Sequence, residues 1–181
     1  MRPLFTIHAG EYIVGNHIET HYPGLRVWVP SKDDGVDLLV TDKDHRKLAT
    51  LQVKFSKDHL ATGRDRNATQ AVKSGGWWSL NPEKIAQSAA DYWVLVLCQF
   101  TSRTYDFVII RPKELARRYQ KIAPDAQTIQ SYFWVTQGKA PECWETRGLS
   151  KATLAQVCDG SFKDETRRFT TFLNRWPFGD A

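Results

Sequence analysis

Apolar positions along the chain fall into two periodicities, and the switches between them predict the element order. Ile7, Val14 and Ile18 recur at spacings of seven and four, so residues 6–21 are predicted to form a helix with these three on one face. The missing member of that stripe, four after Ile7 and three before Val14, is Glu11. A carboxylate is thus expected in the middle of the helix's buried face. Pro23 and Gly24 end the helix. Period-two or continuous apolar runs then predict strands over 25–30 (LRVWVP), 36–41 (VDLLVT) and 48–55 (LATLQVKF), the last two joined by the polar turn DKDHRK.

Residues 56–76 are rich in Lys, Arg, Asn, Ser and Gly and show no clean period. They read as a long basic loop with a short helix around Asn67–Lys73, and a loop of that length inside a compact domain is a functional candidate. Asn81 and Pro82 supply the cap and first residue of a helix over 81–91. The continuous run YWVLVLCQF (92–100) predicts a central strand buried on both faces, with 105–112 as its hairpin partner. A basic helix over 113–121, a strand over 131–137 and helices near 149–158 and 161–174 follow. The order α-β-β-β-α-β with appended elements predicts an α/β fold: one mixed sheet flanked by helices, with C-terminal helical additions. No linker divides the chain, so one domain is expected over 1–181, its core about 6–121 and a C-terminal extension about 122–181.

Composition narrows the class. A chain of 181 residues can bury a core without disulfides or metal staples. Cys98, Cys143 and Cys158 are scattered and odd in number, which favours reduced thiols and a cytoplasmic location. The longest apolar run, Tyr92–Cys98, falls far short of the roughly 20 residues a membrane helix needs. The opening MRPLFTIHAGEYIV has an early acid and no extended apolar core, so it does not read as a secretory leader. The 25 Lys+Arg against 20 Asp+Glu give a net charge of +5, compatible with a polyanionic partner without demonstrating one.

Three polar residues interrupt the strands. Asp37, Leu39 and Thr41 share one face of the second strand; Thr50, Gln52 and Lys54 share one face of the third. An antiparallel pairing of Asp42 with Lys47 puts Asp37 opposite Gln52, with Lys54 one same-face step beyond. A slip of one residue would throw the trio onto opposite faces. A solvated sheet face is the plain alternative, but the opposite face is already apolar (Val36, Leu38, Val40; Leu51, Val53, Phe55) and Glu11 needs a polar partner. An acid, an amide oxygen and a lysine at one point suit metal-assisted phosphodiester hydrolysis. Asp37 would supply a charged ligand to a hard cation, Gln52 its side-chain carbonyl and Val53 a backbone carbonyl, with Lys54 at the attacking water or the transition-state phosphate.

The arrangement Glu11, Asp37, Gln52-Val53-Lys54 resembles the PD-(D/E)XK nuclease superfamily, with GEYIVGNHIE similar to its first-helix segment, DDGVDLLV to its Asp strand and LQVKFS to its third strand. Gln52 stands where that family commonly has a second acid, as in its Q-x-K, Mrr-like members. The resemblance covers about residues 7–100. It implies a restriction-endonuclease-like αβββαβ core and catalytic roles for Glu11, Asp37, Gln52 and Lys54. It also implies a Mg2+ cofactor, with Mn2+ as substitute, at Asp37, Gln52 and Val53. The expected activity is DNA endonuclease cleavage in a restriction, repair or mobile-element context, by a homodimer without membrane attachment.

Lys32, Lys57, Arg64, Arg66 and Lys73 are expected to contact phosphates, and Trp77 and Trp78 to stack on bases. Paired tryptophans more often serve as core anchors. His17 and His21 stand four apart but lack the further ligands of a zinc site. Two rival readings remain: a nuclease-fold protein without catalysis, favoured by the uncharged Gln52 and acting as a nucleic-acid-binding or scaffolding module, and an unrelated α/β interaction module.

Overall fold

The structure, a computed structural model, describes residues 9–32, 34–56, 71–99 and 104–178. Its chain order is helix α1 (Ala9–His21), strands β1 (Leu25–Trp28), β2 (Leu38–Asp42), β3 (Lys47–Ser56) and β4 (Val72–Leu80), helix α2 (Pro82–Ala86), strands β5 (Tyr92–Gln99) and β6 (Thr104–Ile110), helix α3 (Pro112–Ile122), strands β7 (Ile129–Thr136) and β8 (Cys143–Glu145), and helix α4 (Lys151–Asp159). The fold is α/β, but it has two sheets where the sequence predicts one. A mixed five-stranded sheet runs β1-β2-β3-β5-β6, and a second sheet runs β4-β7-β8. Within the larger sheet only β3 and β5 are parallel.

Strand alternation sorts the large sheet's side chains into two cores. Leu38, Val40, Leu51, Val53, Val94 and Val96 pack under Val14 and Ile18 of α1. On the other face Trp93, Leu95, Leu97, Val108 and Ile110 pack against the second sheet and against Leu115 and Tyr119 of α3. β5 is buried along nearly its whole length, as a continuous apolar run sandwiched between two layers should be.

Several boundaries differ from the sequence reading. Val72–Leu80 is a strand, where a basic loop is expected; residues 57–70, the rest of that loop, lie outside the described residues. The helix expected over 81–91 is only Pro82–Ala86, although Asn81 does cap it, its side chain accepting from the Lys84 N–H at 3.0 Å. The segment 161–174 is not helical apart from a 3-10 turn at Thr170–Phe172. Its backbone instead extends the second sheet: Glu145 N donates to Arg167 O at 2.9 Å and Phe169 N to Cys143 O at 2.7 Å. Arg167 also places a guanidinium 2.5 Å from the buried Glu145 carboxylate. Those pairings outweigh the modest helical preference of KDETRRFTTF.

Candidate functional site

The register of β2 on β3 determines whether the polar residues meet. Leu38 faces Leu51, Leu39 faces Thr50 and Val40 faces Ala49. The Asp37 N–H, just ahead of β2, donates to Leu51 O at 2.8 Å, one residue off the ladder's register, and it is the Asp37 side chain that reaches Gln52 and Val53. Nearer the turn the register differs from the expected Asp42–Lys47 pair. Thr41 faces Lys47, and a bulge between Val40 and Thr41 leaves Leu48 as the extra residue. The bulge restores, at the far end of the strands, the same offset that the simpler turn would give.

Asp37 is held by its neighbours on β3. One carboxylate oxygen accepts a very short hydrogen bond from the Gln52 side-chain amide and another, at 2.6 Å, from the Val53 backbone N–H. Backbone groups of alternate residues point the same way along a strand. Leu51 O therefore meets Asp37 N, and the Val53 carbonyl points to the same side, past the start of β2. Gly35 makes the approach to Asp37 with φ of +81°, a left-handed conformation that disfavours any residue with a Cβ.

Lys54 lies two residues beyond Gln52 on the same face of β3, and β5 supplies its support. Gln52 pairs with Trp93 across the parallel ladder, and the Lys54 ammonium lies 5.5 Å from the centroid of the Trp93 ring. The Trp93 indole N–H in turn donates to Ser88 Oγ at 2.9 Å.

Glu11 reaches the same place from the other layer. It sits in the first turn of α1 and is half-buried, not in the middle of the buried face as the Ile7–Val14–Ile18 stripe predicts. The helix's fully buried positions are Gly10, Val14 and Ile18, and Ile7 lies outside the described residues. Gly10 lets the helix start approach β3: a Cβ there would come within 2.6 Å of the Phe55 Cβ. Glu19 accepts from the Val27 N–H at 3.2 Å and so belongs to the β1 junction.

These residues open onto one cavity of about 850 Å³. Glu11, Asp34 and Asp37 line it with carboxylates; Gln52, Val53 and Lys54 continue along β3; Lys84, Gln87 and Ser88 come from α2 and the segment after it. Among the described residues no three of His, Cys, Asp and Glu form a metal-binding group. The donors here are instead carboxylate, amide and main-chain oxygens, a hard set suited to a cation that takes one or two carboxylates and keeps its waters. The set fits such an ion on one condition: the Gln52 amide, whose nitrogen now faces Asp37, must turn its oxygen inward. A half-turn of a primary amide exchanges two nearly isosteric ends.

Residues expected to touch nucleic acid are dispersed. Lys32 is exposed in the segment before Asp34, and Trp77 is 39 % exposed, its backbone N–H donating to Ser56 Oγ at 2.8 Å. Trp78 is core, 5 % exposed and edge-on to Phe133, which corrects the stacking role expected of it: alternate residues of β4 face opposite ways. Lys73 is committed to an internal ion pair with the buried Asp106 at 2.8 Å, where Ser74 and Asn174 also bond. Lys57, Arg64 and Arg66 lie outside the described residues. His17 and His21 stack at 4.2 Å, and His17 also packs against Phe107 and Trp176.

Asp34, Lys84, Ser88 and Trp93 are pocket residues that sequence reading missed. Trp93 is hidden within an apolar run, and the Asn-Pro cap located α2 without saying where it docks. Comparisons with protein-family models, with curated proteins and with solved structures find no match for this chain.

Proposed function

We propose that the protein is a Mg2+-dependent endodeoxyribonuclease with a restriction-endonuclease-like core of the PD-(D/E)XK type. The observation that carries this reading is the Asp37 carboxylate gripped by Gln52 and the Val53 backbone, with Lys54 on the same face and Glu11 lining the same cavity. Asp37 and the Val53 carbonyl, with Gln52 turned, would hold the ion, and Mn2+ would substitute for it. When bound, such an ion acidifies water and offsets charge on the phosphate.

The chain's own groups do the rest. Lys54, braced over Trp93, presents a fixed ammonium to the phosphate oxygens or the attacking water. Glu11 accepts a hydrogen bond from water on the α1 side of the cavity. Hydrolysis joins the water oxygen to phosphorus, breaks one ester P–O bond, and passes a proton to the departing oxygen. DNA is the substrate and a homodimer would cut both strands, in a restriction, repair or mobile-element setting.

A second reading, a nuclease fold without catalysis that binds or scaffolds nucleic acid, is favoured by one observation. The Gln52 amide already satisfies Asp37 with no ion required. Cleavage of plasmid and branched DNA with Mg2+ or Mn2+, against EDTA, separates the two. Asp37→Ala and Lys54→Ala should stay folded, bind DNA and lose cutting. Equal cleavage by either variant and the parent would place the activity elsewhere.

A further inference from the structure

Among the described residues, the cavity lining is rich in acids for a polyanionic substrate. Glu11, Asp34 and Asp37 put three carboxylates around it, and Lys54 is braced on the Trp93 ring. A nucleic-acid backbone carries one charge per phosphate, so a second cation is needed where the strand enters. Lys84 lines the cavity from α2 and is exposed. Among the described residues no carboxylate pairs with it, whereas Lys47 and Lys73 are paired with Asp91 and Asp106. Its setting is also fixed. Asn81 holds the Lys84 backbone N–H at 3.0 Å, and Ser88, four residues on, is tied to the Trp93 indole that supports Lys54. Trp93 thus supports Lys54 and ties down the segment that follows the Lys84 helix.

We propose that Lys84 is a substrate-binding residue that grips a backbone phosphate beside the scissile one, setting where the strand lies over Asp37. This rests on the nuclease reading above, which the closing experiment tests separately.

The experiment measures binding of a labelled DNA duplex by fluorescence anisotropy in EDTA over a range of salt, and single-turnover cutting with Mg2+ at saturating enzyme over limiting DNA. The proteins are the parent, Lys84→Ala, Lys84→Arg and, as a charge-matched control, Lys43→Ala in the β2–β3 turn at the opposite end of the strands. Lys84→Ala should weaken binding several-fold and lower the salt slope by about 0.9, the value for one lost phosphate contact. Lys84→Arg should restore both, Lys43→Ala should change neither, and cutting at saturation should slow in Lys84→Ala, because the strand is no longer seated over Asp37. Lys84→Ala that binds DNA with the affinity and salt slope of Lys43→Ala overturns the Lys84 role while leaving the nuclease reading intact. A parent that neither binds nor cuts DNA overturns both.

Discussion

The Val53 backbone N–H donates to the Asp37 carboxylate at 2.6 Å, so the acid is tied to the neighbouring strand's main chain. That tie survives any substitution of the Gln52 side chain, which makes position 52 a clean probe of the site. Gln52→Glu replaces a donor facing Asp37 with an acceptor. In EDTA the two carboxylates should repel, costing about 1–3 kcal/mol, seen as roughly 2–4 °C of melting temperature per kcal/mol in a chain of this size. Mg2+ should restore that loss, since saturation at a hundredfold over Kd adds about 2.7 kcal/mol. Melting curves of Gln52→Glu that ignore Mg2+ would count against a cation at Asp37.

Two glycines of α1 should respond in opposite directions to the same change. Replacing either by alanine gains helix propensity of at most about 1 kcal/mol. At Gly15 the new Cβ would meet Val27 Cγ1 at an ordinary 3.6 Å, so Gly15→Ala should raise the melting temperature. At Gly10 it would meet the Phe55 Cβ at 2.6 Å, and overpacking of about 1–3 kcal/mol should prevail. Gly10→Ala should therefore melt earlier and shift Glu11 away from the cavity. Denaturant titration of both variants checks the sign, and two stabilised proteins would refute the close approach of α1 to β3.

Lys73 is a structural residue in this account. Breaking a fully buried ion pair costs about 3–5 kcal/mol, and the loss should be smaller here because Lys73 is 33 % exposed and Asp106 keeps Ser74 and Asn174. Lys73→Met should lower the melting temperature while changing DNA affinity no more than Lys43→Ala does. A variant that melts like the parent yet binds DNA poorly would return Lys73 to the interface.

A half-buried histidine and a buried glutamate give opposing pH dependences. Burial, reinforced by His21, lowers the His17 pKa to about 4. The unfolded histidine takes up its proton near its ordinary 6.5, so this contribution is whole above 6.5 and lost as pH falls toward 4. Burial raises the Glu145 pKa to about 7 against the pull of Arg167, so the folded acid holds a proton that the unfolded one releases. That contribution is present below about 4.5 and fades as pH rises to about 7. The two overlap and partly cancel. Urea titrations between pH 4 and 7 should show stability climbing more steeply with pH in Glu145→Gln, and more shallowly in His17→Phe, than in the parent. The reverse pattern would contradict both assignments.

How much of this was legible in the sequence depends on how local each signal is. Asp37, Gln52 and Lys54 could be placed on one face because strand alternation and a short turn fix register within about twenty residues. The Leu48 bulge was invisible, yet it preserved the offset that mattered. The second sheet was not legible. Lys73-Ser74-Gly75-Gly76 has poor strand propensity and forms a strand only because β7, more than fifty residues later, pairs with it. Lys84 and Trp93 escaped for the same reason: their role comes from where α2 and β5 dock, which no spacing within those segments encodes.

The central claim is that Glu11, Asp37, Gln52 and the Val53 carbonyl frame the seat of a divalent cation. Crystals of the parent soaked in Mn2+ and measured near the manganese absorption edge test it most directly. The account predicts an anomalous-difference peak within bonding distance of the Asp37 carboxylate and the Val53 carbonyl, with Gln52 turned to present its oxygen, and no peak there in Asp37→Ala. A parent map empty at Asp37, or a peak that persists in Asp37→Ala, would contradict it.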